Sequence, residues 1–356
     1  MASPSPSPRA RRIVPRWLRR VGFVLAAFAS LALLLGGAIV VALRASLPRL
    51  DGHARLTGLQ HIEATIERDQ IGHVTIRAGS RADAARALGY AHAQDRFFQM
   101  DLLRRAGQGR LSALFGAAAV DSDRKARLFR GATLAQAALP LLPKDEVEVL
   151  QAYADGVNAA LAATLVPPPE YLLLRVRPQP WSPEDSLVLN LTFSFLLQDP
   201  EARLDHERSL LLKAIGPEAY AFFHPKGSHL DAALDGPLPA EPPIPSPESF
   251  RAPIPPTAES GGDPWEGFPD DDPPTPGSNA WAVHGRHTRS GAALVADDMH
   301  LGISVPGIWY RAVLRWTDPD GRERLLAGVT VPGAPTLITG SNGDVTWGFT
   351  NAMLDT

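Results

Sequence analysis

Pro276-Gly277-Ser278-Asn279-Ala280-Trp281-Ala282-Val283 is the stretch that decides how the rest of the chain is read. Before it, from about residue 232, the sequence is proline-rich and acidic, as in Glu-Pro-Pro-Ile-Pro-Ser-Pro-Glu-Ser (241–249) and Asp-Asp-Asp-Pro-Pro-Thr-Pro-Gly (270–277). Such text lacks the apolar density to fold alone and predicts a disordered or extended spacer over 232–277. After Ser278 the residues alternate and read as strands: 279–284, 293–296, 309–316, 322–330 and 345–348, with turns at 285–291 and at Asp318-Pro319-Asp320-Gly321. A serine that opens a strand behind a glycine and a spacer stands where a cut would expose a new N-terminal nucleophile.

Outward from the spacer, the preceding part is helical. Two short strands, 61–68 and 73–78, joined by Asp69-Gln70-Ile71-Gly72, lead into a helix that Ser80 caps and that Ala84, Ala87, Leu88 and Ala91 mark by their spacing. Gly107 and Gly109 loosen that helix, and Gly116 is a stop. A second helix covers about 144–165, with Val147, Leu150, Tyr153, Ala154 and Val157 on one face, ended by Pro167-Pro168-Pro169. Trp181-Ser182-Pro183-Glu184-Asp185 opens a third, with Ser182 as N-cap, Pro183 in the first turn and Asp185 as the acidic third position. A last one covers 205–215, before Gly216-Pro217.

At the N-terminus, residues 1–20 are polar and basic, and Val21–Leu43 is uncharged throughout. At about 1.5 Å rise per residue such a run spans a bilayer core. The arginines on its N-terminal side orient the N-terminus to the cytoplasm and the rest outward. Two readings stand: a cleaved signal peptide, or an uncleaved single-pass membrane anchor with the remainder of the chain exported. The length of the run, and the lack of a small-x-small site before Leu47-Pro48, favour the anchor.

The chain has 356 residues, a formal charge of −3, 45% hydrophobic residues and no cysteine. That length suffices for a sizeable core. Near-balanced charge gives no sign of a nucleic-acid partner, and the lack of cysteine excludes disulfides, thiolate zinc sites and a cysteine nucleophile. His92 and Asp95 share a helix, but packing explains them better than a metal pair; Trp281, Trp309 and Trp347 read as core or pocket wall; Asp270-Asp271-Asp272 reads as a solvated charge run.

A group of stretches, taken in order, resembles the penicillin acylases, a branch of the N-terminal-nucleophile hydrolases. They are Gly89–Met100 with Gln108–Leu111, Tyr153–Asn158, Pro180–Asp185, Gly277–Trp281, Asp297–Leu301, and Gly340–Gly343 leading to Trp347–Asn351. The resemblance implies an α+β, four-layer αββα fold behind the membrane helix. In it 50–231 corresponds to the α subunit and 278–356 to the start of a β subunit that continues beyond Thr356. The helical part and the strands after Ser278 then form two associating chains of one domain rather than two domains.

It implies an amidohydrolase precursor that cleaves itself between Gly277 and Ser278 and acts on a small-molecule acyl amide: a β-lactam side chain, an acyl-homoserine lactone or a lipopeptide. Ser278 is the nucleophile, and its freed α-amino group is the base. His300 contacts and orients it, and the Asn351 backbone N–H is an oxyanion donor. No cofactor enters the chemistry. One structural calcium ion is implied, on Glu201 and Asp355. A catalytically inactive, membrane-anchored binding protein of the same fold is the alternative. A metal-dependent amidohydrolase is a weaker one, disfavoured by the scarcity of ligand clusters.

Overall fold

The structure, a computed structural model, describes residues 16–54, 63–197, 202–227, 236–237, 240–250 and 277–350. The helices are α1 (Arg16–Ser46), α2 (Arg81–Gln108), α3 (Ser112–Phe115), α4 (Val120–Leu128), α5 (Gly131–Ala138), α6 (Lys144–Ala163), α7 (Pro169–Leu174), α8 (Pro183–Leu196) and α9 (Arg203–Phe223). The strands are β1 (Thr65–Arg68), β2 (Val74–Ala78), β3 (Gly277–Val283), β4 (Leu294–His300), β5 (Tyr310–Thr317), β6 (Glu323–Thr330), β7 (Leu337–Ser341) and β8 (Thr346–Trp347). The fold is mixed α/β. α1 is the one helix among the described residues long and apolar enough to cross a membrane, and its apolar side chains are exposed.

Contacts divide the chain into two units, the first Met1–Leu189 with Pro306–Leu337 and Ser341–Asp344, the second Asn190–Val305 with Ile338–Gly340 and Val345–Thr356. In the first unit β1 and β2 are antiparallel, with Thr65 opposite Arg77 and Arg68 opposite Val74. The predicted turn closes them: the Gly72 N–H donates to Asp69 O at 3.1 Å, and Gly72 takes φ +83°. β2 then pairs in parallel with β5, Val74 against Ala312 through Ala78 against Trp316, and β5 runs antiparallel to β6, Tyr310 opposite Thr330. Strands written before and after the spacer thus share one sheet.

The helix signals act where they were read. Ser80 Oγ accepts the Asp83 N–H at 3.1 Å, and Gly109 ends α2 in the left-handed region at φ +62°. The Ser182 N–H donates to Asp185 Oδ2 at 2.9 Å at the start of α8. α2 and α6 pack through two glycines. A Cβ on Gly89 would lie 2.2 Å from Tyr153 O, and one on Gly156 1.9 Å from Arg86 O. Glycine inside a helix costs roughly 0.5–1 kcal/mol against alanine; here it permits the backbones to meet. Val74, Ile76, Leu88, Phe97, Met100 and Leu314 close the core between these helices and the sheet.

Several expectations need correction. α3, α4, α5, α7 and β7 are additional elements. The helix expected to end at Ile215 breaks only at Gly216 (φ +78°) and resumes with Pro217 in its first turn, where no N–H is needed. Part of the expected structureless spacer, Pro247–Phe250, is a 3-10 turn tied to α9 in the second unit by Ser249 Oγ donating to Glu218 Oε2 at 2.7 Å. Trp281 is exposed rather than core. Asp270, Asp271 and Asp272 lie outside the described residues.

Candidate active site

Two polar clusters stand out, one in each unit. In the first unit His92 is fully buried, with Nδ1 2.8 Å from Tyr153 Oη and Nε2 2.9 Å from Thr330 Oγ1. The donor count assigns its protons. Tyr153 Oη accepts the Gly333 N–H at 2.8 Å, so its own proton goes to Nδ1. Thr330 Oγ1 donates to Tyr310 O at 3.0 Å, so it accepts from Nε2–H. His92 is therefore a neutral Nε2–H imidazole. Burial, with a smaller contribution from the Arg96 charge, lowers its pKa to about 3. Asp95 binds Arg68 Nη1 and Tyr310 Oη, each at 2.7 Å. Both residues are thus held in hydrogen bonds within the first unit, His92 fully buried and Asp95 partly so.

The second unit carries the residues singled out for chemistry. β3 and β4 form an antiparallel hairpin with Gly277 opposite His300, Ser278 opposite Met299, Asn279 opposite Asp298 and Ala280 opposite Asp297. Facing residues share a side of the hairpin and successive residues alternate. One side therefore carries Asn279, Asp298 and His300: His300 Nε2 lies 3.2 Å from Asp298 Oδ2 and 3.2 Å from Asn279 Nδ2. The other side carries Ser278, Ala280, Met299 and Asp297.

His300 is thus directly across from Gly277, beside the bond expected to be cut, while its ring lies with Asn279 rather than on the Ser278 side. In this structure the ring is hydrogen-bonded on the Asn279 side of the hairpin. The sequence could not show this, because the face of His300 follows from the cross-strand pairing and not from its distance along the chain.

Sequence reading gave Asp297 no role, yet it lies on the Ser278 side and accepts the Phe349 N–H through Oδ2 at 3.2 Å. Gly348 is pressed against it: a Cβ there would lie 2.9 Å from Asp297 Cβ and 3.0 Å from Cγ. The segment is anchored from behind by Trp347 Nε1 donating to Ile338 O at 3.1 Å and by Thr339 Oγ1 donating to Trp347 O at 2.7 Å. The Trp347-Gly348-Phe349 backbone is therefore attached to the Ser278 face, two residues before Asn351. Asn351 itself, with the proposed calcium ligands Glu201 and Asp355, lies outside the described residues. Among the described residues no cluster of three or more histidine, aspartate or glutamate side chains is placed to hold a metal.

Comparison with known proteins bears on this site. A family model described as penicillin amidase matches residues 63–356. The chain is 32% identical over 321 residues to the penicillin acylase 2 proenzyme of Pseudomonas sp. (strain SE83), covering 88% of this chain and 39% of that protein. It is 31% identical over 337 residues to the acyl-homoserine lactone acylase QuiP of Pseudomonas aeruginosa, covering 87% and 35%. Among solved structures it is similar to a thermostable penicillin G acylase from Alcaligenes faecalis, with TM-score 0.41, 28% identity, and coverage of 52% of this chain and 100% of that one. The chain spans well under half the length of the two Pseudomonas relatives.

Proposed function

This chain belongs to the penicillin amidase family, and on that premise we propose that it is part of an exported acylase precursor whose Gly277–Ser278 bond is broken to make Ser278 the nucleophile. The observation that carries the reading is the hairpin. Ser278 is the second residue of β3, directly behind the spacer, in a strand paired along its length with β4.

In maturation Ser278 Oγ attacks the Gly277 carbonyl carbon. The peptide C–N bond breaks, its nitrogen takes the hydroxyl proton, and water hydrolyses the resulting ester to a Gly277 carboxylate. The freed α-amino group, with an ordinary pKa of about 7.7–8.0, is partly neutral near pH 7 and accepts the Ser278 hydroxyl proton during turnover. Oγ then attacks the substrate amide carbonyl, and the tetrahedral oxyanion takes donors including the Asn351 backbone N–H. The amine leaves with the proton held on the α-amino group. Water, deprotonated by the same amine, releases the acid and restores the hydroxyl. The substrate is an amide bearing an apolar acyl group: a β-lactam side chain, an acyl-homoserine lactone or a lipopeptide. A penicillin acylase and an acyl-homoserine lactone acylase are both among the similar proteins.

His300 serves by holding the end of the hairpin through Asp298 and Asn279, so that the Ser278 backbone is fixed. A four-layer N-terminal-nucleophile fold, a structural calcium on Glu201 and Asp355, and an inner-membrane anchor at 21–43 with the catalytic part in the periplasm complete the reading. The test is mass spectrometry of the full-length protein, which should give a chain beginning at Ser278. Ser278→Ala should stop both that processing and hydrolysis of a panel of acyl p-nitroanilides. An intact chain in a fully active sample overturns the proposal.

A further inference from the structure

Asp297 is an acidic side chain on the Ser278 side of the hairpin, and its surroundings are specific. Oδ2 holds the Phe349 N–H at 3.2 Å. Oδ1 is buried with no hydrogen-bond partner among the described residues. Gly348 approaches so closely that any side chain there would collide with the Asp297 side chain. A covered carboxylate oxygen without a donor is destabilising by about 1–3 kcal/mol or more. Two contacts thus join β4 to one short backbone segment, which precedes Asn351 in sequence by two residues.

We infer that Asp297 is a positioning residue for the proposed reaction: its carboxylate fixes the Trp347-Gly348-Phe349 backbone against the Ser278 face, so that the next backbone N–H groups meet the oxyanion. This rests on the reading of Ser278 and Asn351 given above. The segment is held from both sides, by Ile338 and Thr339 on β7 and by Asp297 on β4. The β7 contacts fix where the segment lies, and the Asp297 contact sets how far it stands from the Ser278 strand. Misplacing a catalytic group by about 1 Å can cost on the order of 100-fold in rate, and losing one oxyanion donor costs roughly 100- to 1,000-fold in kcat.

The experiment uses the full-length processed protein and the p-nitroanilide best cleaved in the panel above. Asp297→Ala should lower kcat by about 10- to 100-fold and leave KM within about threefold, because the oxyanion forms only in the transition state. Asp297→Asn keeps an acceptor oxygen for the Phe349 N–H and should restore kcat to within about threefold of the parent. A purely structural role would lower the melting temperature of both variants without this split between kcat and KM. An Asp297→Ala kcat within twofold of the parent overturns the inference, as does an Asp297→Asn protein as slow as Asp297→Ala.

Should Asp297→Ala not accumulate as processed protein, Gly348→Ala strains the same contact from the other side. It should lower kcat with KM held, and an unchanged kcat overturns the inference. Failure of the underlying reading is separable. Turnover that survives Ser278→Ala refutes the nucleophile and this inference together, whereas dependence on Ser278 with tolerance of Asp297→Ala refutes this inference alone.

Discussion

His92 and His300 are both hydrogen-bonded histidines close to a tyrosine or an aspartate, yet they occupy opposite physical regimes. His92 is fully buried in the first unit and both ring nitrogens are used. His300 is half exposed on the second unit's hairpin and shares one nitrogen between Asp298 and Asn279. The contrast extends to their surroundings. In the first unit Asp101, fully buried, accepts from Arg104 Nε (2.8 Å), Arg105 Nε (3.0 Å) and Tyr171 Oη (2.7 Å). Arg104 goes on to Asp185 Oδ2 at 2.8 Å, the same carboxylate that caps α8. That web is closed and turned inward. The hairpin keeps its polar groups at a surface. Interior polar networks specify the scaffold, whereas the polar groups of the hairpin remain within reach of solvent.

The largest expected effect breaks the closed side of this contrast. Asp101→Ala leaves two buried guanidinium groups and the Tyr171 hydroxyl short of an acceptor. Removing one partner of a buried ion pair costs about 3–5 kcal/mol. Urea unfolding at neutral pH should show that loss, while the equivalent change at the half-exposed Asp298 should cost under about 1 kcal/mol. Equal losses at the two positions would erase the distinction.

The next effect is a pH dependence that belongs to His92 alone. In the unfolded chain the imidazole takes a proton near its ordinary value of 6.5, whereas in the fold it does so only near 3. The unfolded state therefore binds more protons in acid. The contribution of His92 is whole above pH 6.5 and is lost as pH falls toward 3, by up to about 1.4 kcal/mol per pH unit. His92→Gln should be less stable than the parent at pH 7, because Gln replaces a fitted donor–acceptor pair, but should lose less on going from pH 6.5 to 4. Denaturant midpoints across that range measure it. Parallel acid limbs in the two proteins would remove His92 from the account.

How much of this was written in the sequence follows the same division. Local signals were legible because each rests on neighbouring residues: the Ser80 cap, the Ser182–Asp185 box, the turns at Gly72 and Gly321, and the strand expected over 279–284, which runs Gly277–Val283. α4 and α5 were missed because they are short and no side chain caps them. β7 was missed because it is short and ends in Gly340-Ser341. The parallel pairing of β2 with β5 joins residues far apart in sequence, and no local pattern encodes it. Asp297 lay inside a stretch that carried the family resemblance, but its work depends on Gly348 and Phe349, which only the fold brings to it. The face that His300 takes on the hairpin was not legible, since the cross-strand register decides it.

The smallest expected effect is the most discriminating, because it tests that register. The side chains of His300 and Asp298 are 49% and 62% exposed, and an exposed pair of this kind contributes about 0.2–1 kcal/mol. If the ring acts only by steadying the end of the hairpin, His300→Ala should shift the denaturant midpoint little. It should lower kcat by no more than about fivefold, the kinetic equivalent of 1 kcal/mol. His300→Gln, which can still bond Asp298 and Asn279, should recover most of that. A loss of a hundredfold or more, with unfolding unchanged, would put the imidazole at the reacting atoms. The alternation that sets Ser278 and His300 on opposite sides of the hairpin would then be wrong, and the contrast between a histidine that builds the scaffold and one that steadies the site would have to be redrawn around a catalytic His300.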